Sequence, residues 1–143
     1  MVINSQIEYL LDTNTLSEPL KSNPNKKVMD MLQANEDKLS TASVVVHELA
    51  FGLHLLPRSK KRNQIERYIF DSIIGCMDIF DFDEQAALWF AKERARLSKK
   101  GLTAPFADGQ IASIAVSNNL KLITRNLKDF KNFSGVKCVS WFS

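Results

Sequence analysis

Five polar side chains in this 143-residue chain stand where they could do chemistry: Asp12, Glu48, Asp108, Asn126 and Asp129. Asp12 ends an apolar run at residues 7–11 and opens the tetrad "DTNT". Glu48 interrupts the apolar stretch "SVVVHELAFGLHLL", where an unpartnered carboxylate would cost several kcal/mol or take up a proton. Asp108 lies three and four residues before Ile111 and Ala112, on the face those residues would bury. Asn126 and Asp129 follow "KLITR". Each carboxylate has an ordinary structural use. Asp12 can form an Asx-turn or cap a helix, Asp108 can favour a helix dipole, and Glu48 can pair with a base or stay neutral.

What changes the reading is where the secondary structure places them. Strands are expected at residues 7–11, within 38–43, at 76–82, 121–125 and 136–142. Helices are expected at 26–35, at 44–56 (almost wholly buried, stopped by Pro57), at 59–76, at 84–100 closed by Gly101, and at 107–119. Alternation of strand and helix predicts an α/β fold, a three-layer α/β/α arrangement around a central, mainly parallel five-stranded sheet. In such a sheet ligands gather outside the carboxyl ends of the strands, near the switch in strand order. All five polar residues fall at that rim. Carboxylates crowded there repel and raise one another's pKa, and a hard divalent cation with oxygen ligands, Mg2+ or Mn2+, relieves the repulsion.

Composition narrows the alternatives. With 45% hydrophobic and 24% charged residues, one globular domain over 1–143 is expected, and its net charge of +3 permits a polyanionic partner without demanding one. Basic residues gather at 58–62, 92–100 and 125–131, and solvated helix faces account for most such clusters. Cys76 and Cys138 lack metal-ligand spacing and read as free thiols of a cytoplasmic protein. The opening "MVINSQ" lacks the pattern of a signal peptide, and no apolar run is long enough to cross a bilayer. A Walker-type loop and a GxGxxG motif are both missing.

At these residues the chain resembles the PIN-domain family, and more narrowly its VapC-type toxin nucleases of type II toxin–antitoxin pairs. The likeness rests on "LLDTNTLSE", "SVVVHELAFG", "PFADGQIASIA" and "LITRNLKDF", in that order, with a closing "VKCVSWF". It implies a Mg2+-dependent endoribonuclease with an RNA substrate, a cognate VapB-like antitoxin and a homodimer. The family's first three acidic positions carry over to Asp12, Glu48 and Asp108. Many members have Thr-x-Asp after the fourth strand, where this chain has Thr124-Arg125-Asn126. A subgroup has Asn there with an acid three residues later, which matches Asp129. The resemblance thus makes Asp12, Glu48, Asp108 and Asp129 metal ligands, with Asn126 or Thr124 holding a water or positioning a ligand. Thr13 and Asn14 are expected to bond local backbone and aim Asp12. Two other readings stay open: a catalytically weak PIN-like module that binds protein or nucleic acid, and an RNA-processing nuclease without an antitoxin.

Overall fold

A computed structural model of the chain describes residues 6–142. Residues 1–5, which hold most of the opening read as lacking a signal peptide, and Ser143 lie outside the described residues. Among the described residues no helix is long and apolar enough to cross a membrane.

Five short strands form the centre: β1 (Tyr9–Leu11), β2 (Leu39–Ala42), β3 (Asp78–Phe80), β4 (Lys121–Ile123) and β5 (Cys138–Val139). Their order is β3-β2-β1-β4-β5 and every neighbouring pair is parallel, with Leu10 opposite both Ser40 and Leu122. Helices cover both sides. The chain builds outward from β1 through β2 to β3, then returns to add β4 on the other flank of β1. The switch in strand order therefore lies between β1 and β4, and the carboxyl ends of those strands open the crevice. Leu10, Leu11, Leu122 and Ile123 are fully buried there, as strands sandwiched between helices require.

Among the described residues there are six α-helices: α1 (Thr13–Ser17), α2 (Lys26–Ala34), α3 (Ser43–Leu55), α4 (Lys60–Arg67), α5 (Glu84–Lys99) and α6 (Phe106–Ser117). Local sequence explains their ends. Asn25 and Asp83 accept hydrogen bonds from the N–H groups of Val28 and Ala86, capping α2 and α5. Gly101, at φ +75°, stops α5, and the Leu102 N–H returns to the Leu97 carbonyl at 2.9 Å. In α6 the residues from Ile111 through Ala115 are all buried, so Asp108, one turn earlier, faces inward with them.

Several expected boundaries differ. The strands are shorter than expected, β5 above all, because pairing stops where the chain turns away from the sheet. The expected helix at 59–76 runs as α4 and then widens into a π-helix at Tyr68–Ile74. Widening keeps Ile69 and Ile73 buried while Phe70 and Ile74 face outward. The largest difference is α3. Its apolar sequence suggested near-complete burial, yet Phe51 is 59% and Leu55 70% exposed. A helix in an outer layer buries only the stripe facing the sheet, here Val45 and Leu53. Among the described residues nothing covers the apolar outer side of α3.

Candidate active site

The site grows from the end of β1. Asp12 follows Leu11, caps α1 and is only 8% exposed. Its own N–H donates to the Ile123 carbonyl at 2.9 Å, prolonging the β1–β4 pairing to the last residue. Its Oδ1 accepts from the Thr13 N–H at 2.5 Å and its Oδ2 from the Thr124 hydroxyl at 2.7 Å. The capping role and the inward position thus belong to one side chain, and each oxygen keeps a free lone pair. Thr124 is fully buried. Its hydroxyl also accepts from the Asn126 N–H at 3.2 Å, so the segment after β4 is keyed to Asp12 through one oxygen.

Glu48, in the second turn of α3, is half-buried and accepts a short hydrogen bond from the Thr13 hydroxyl. The neighbouring His47 is exposed and stacks on Phe51, 6.4 Å between rings, so it does not compensate Glu48. Thr13 was expected to bond local backbone. Instead its N–H donates to the Asp12 carboxylate and its hydroxyl reaches across to α3, because Asp12 caps α1 and α1 packs against that helix.

Asp108 stands in the first turn of α6. Burial, followed by the charges of Asp12, Asp129 and Glu48, pushes its carboxyl up to about 6. The four predicted carboxylates therefore share one electrostatic neighbourhood. Asp129 ends a single 3₁₀ turn at Leu127–Asp129 and is exposed. Asn126 enters differently. Its backbone serves Thr124, while its exposed side chain makes no hydrogen bond among the described residues.

Two threonines, Thr13 and Thr124, therefore do the positioning. The signal in the sequence was a hydroxyl residue beside each strand end. Among the described residues no three His, Cys, Asp or Glu side chains converge closely enough to chelate an ion as placed. The donor set is nonetheless all carboxylate, hard and mutually repelling, and it fits a hard divalent cation in type and charge. Cys138, whose thiol burial and the Asp12 charge push up to about 11, adds no soft ligand. On the outer side of Thr124, Arg125 lies over the Phe142 ring at 5.0 Å and its charge also reaches buried Glu18.

The model of the family described as "PIN domain" matches residues 9–136. The chain belongs to the PIN-domain family. This PIN domain is 36% identical over 125 residues to the Toxin FitB of Neisseria gonorrhoeae, covering 85% of the chain and 89% of that protein. It is 28% identical over 137 residues to the tRNA(fMet)-specific endonuclease VapC of Salmonella typhimurium, covering 94% of the chain and 98% of that protein. The solved structure of FitAB bound to an IR36 DNA fragment contains a chain that superposes with a TM-score of 0.84 at 30% identity, covering 94% of this PIN domain and 96% of that chain. Its place is with the VapC-type PIN toxins.

Proposed function

We propose that this PIN domain is a Mg2+-dependent endoribonuclease, with Mn2+ as an alternative ion, and that it acts in the cytoplasm as the toxin of a VapBC-like pair. One domain carries the whole activity. What supports this reading is buried Asp12, held by Thr124 at the switch point between β1 and β4, together with Asp108, whose carboxyl is pushed up first by burial and then by the charges of Asp12, Asp129 and Glu48.

Asp12, Glu48, Asp108 and Asp129 would hold the ion, directly or through water. When bound, the ion makes a water acidic enough to supply hydroxide near neutral pH and stabilises charge on the phosphate. The chain's own groups do the rest. Thr124 and Thr13 hold Asp12 and Glu48 in place before substrate arrives. Asp129 or Glu48 takes the proton of the attacking water. The new bond forms between water oxygen and phosphorus as the bond to the 3′ oxygen breaks, and that oxygen keeps the electron pair and takes a proton from solvent, leaving 5′-phosphate and 3′-hydroxyl ends. Arg125, exposed beside Thr124, offers a cation to the RNA backbone, so binding weakens with salt.

Partners fit the same reading. The Neisseria gonorrhoeae relative is named Toxin FitB, which supports a cognate antitoxin for this chain, and the family resemblance adds a homodimer. Exposed Phe51 and Leu55 on α3, with Phe70 and Ile74 on the adjoining π segment, provide apolar surface for such contacts.

The test is cleavage of end-labelled RNA by the purified protein with Mg2+, with chelator, and as Asp108→Asn. Cutting that needs both the ion and Asp108 supports the reading. Undiminished cutting after chelation and in the variant ends it.

A further inference from the structure

Phe106 opens α6 two residues before Asp108, and it is 55% exposed. An exposed Phe is not informative by itself, but this one is held in place. Its ring meets the Phe90 ring edge-on, 5.4 Å between centroids at 65°. Phe90 is itself 3% exposed, packed edge-on to Phe82, and seated where Gly109 has no side chain. A Cβ on Gly109 would come within 2.1 Å of the Phe90 ring. Three aromatic rings thus step from Phe82, just before α5, through Phe90 on α5 to Phe106 at the surface, in the same first turn of α6 that carries Asp108.

The second member is Arg94. Its guanidinium lies 5.5 Å from the Phe106 centroid. Arg94 is exposed and has no hydrogen bond or ion pair among the described residues, whereas Arg96, one position further but one, is committed to Glu93 and the Asn132 carbonyl. Its N–H groups are free to meet an anion. Neither residue is needed to start α6: Pro105 is the cap residue and no side chain caps the helix. If Phe106 served only to cover Phe90, more than half of its surface would not stand in solvent.

We propose that Phe106, backed by Arg94, is a base-stacking platform that determines how single-stranded RNA lies across the acidic rim. A base next to the cleaved bond stacks on the open part of the Phe106 ring, and Arg94 donates to a neighbouring phosphate. Stacking suits a site whose carboxylates repel the backbone, because an aromatic face binds any base without needing charge. The guanidinium adds attraction to both the ring and the phosphate. This inference deepens the endoribonuclease reading and rests on it.

The experiment maps the cut in a short single-stranded oligoribonucleotide, then places an abasic nucleotide on either side of it. Phe106→Ala should raise KM about 10-fold or more while kcat stays within about 3-fold, and Phe106→Trp should restore KM. For the wild type, one abasic position should cost as much as Phe106→Ala, and the two losses should not add. Arg94→Ala should weaken binding and lower the salt slope by about one. Equal KM in the wild type and Phe106→Ala, or equal losses on base-bearing and abasic RNA, overturns the platform. Failure of the nuclease reading gives a different pattern. If the wild type does not cut, anisotropy compares a base-bearing oligomer with a ribose-phosphate oligomer of equal length lacking bases. A preference for bases that Phe106→Ala abolishes upholds the platform; no preference overturns it.

Discussion

The Thr124 hydroxyl donates to Asp12 Oδ2 at 2.7 Å, joining residues 112 positions apart at the two strand ends that flank the switch point. Both residues are buried, so the bond fixes one carboxylate oxygen while the Thr13 N–H holds the other, and each oxygen keeps a free lone pair. Thr124→Val keeps the shape and removes the donor. Its stability cost should be about 1 kcal/mol, read from thermal melts. Its effect on cleavage should be larger, about 10-fold to 100-fold in kcat, because a misplaced carboxylate spoils ion and water geometry together.

Asp108 offers a test of pH dependence. Its folded pKa, about 6, exceeds the ordinary 3.8, so the fold favours the protonated form. That contribution to stability is fully present below about pH 3.8 and is lost as pH rises through about 6. In chelator, the wild type should therefore lose Tm relative to Asp108→Asn between pH 4 and pH 7. Two units would be worth about 3 kcal/mol in full, and solvent screening of this half-buried group reduces that to about 1, a few degrees in Tm. Asp108→Asn should thus melt higher at neutral pH while losing about 100-fold or more in cleavage. Wild-type cleavage should fall as the Asp108 carboxylate is protonated at low pH, and raising Mg2+, which competes with the proton, should shift that fall to lower pH.

Gly109 is a packing test of the same region. An added Cβ would stand 2.1 Å from the Phe90 ring, which Phe82 and Phe106 flank. Gly109→Ala should cost about 1–3 kcal/mol, read as a fall of several degrees in Tm. Phe90→Leu in the same background should recover part of the loss, because it gives the new methyl group room.

Glu93 tests how the segment after Asp129 is anchored. It is 5% exposed and accepts two hydrogen bonds from Arg96 and two from Ser134. Arg96 and Ser134 hold its carboxyl down at about 2. A depressed pKa gives stability that is present above about 4.5 and lost as pH falls toward 2. Glu93→Gln should lower stability at pH 7 by about 1–3 kcal/mol, with the two melting curves converging in acid. Cleavage should weaken too, as the chain following Asp129 loosens.

Three of the four carboxylates are legible in the sequence. Asp12 ends an apolar run, Glu48 breaks one, and Asp108 precedes the buried face of α6. Strand–helix alternation then sends all three to one rim. The fourth position was harder to place because Asn126 and Asp129 lie on a short turn without periodicity. In the structure Asp129 acts on Asp108 and Asn126 serves through its backbone. The π-helix at Tyr68–Ile74 and the exposed side of α3 were hidden for a related reason. A run of apolar residues records what a segment can bury, not which neighbour is present to bury it.

The sequence by itself determined the parallel α/β order, the capped and terminated helices, and the rim on which the acids meet. These follow from side-chain periodicity, cap chemistry and the handed crossover of parallel strands, all of which act over a few residues or one connection. Only the tertiary structure decided that Thr13 serves Glu48, that Thr124 serves Asp12, and that Phe106 stays in solvent beside Arg94. Those relations depend on how separate elements are set against each other to within a hydrogen bond's length. No local pattern encodes a distance between residues 112 apart in the chain.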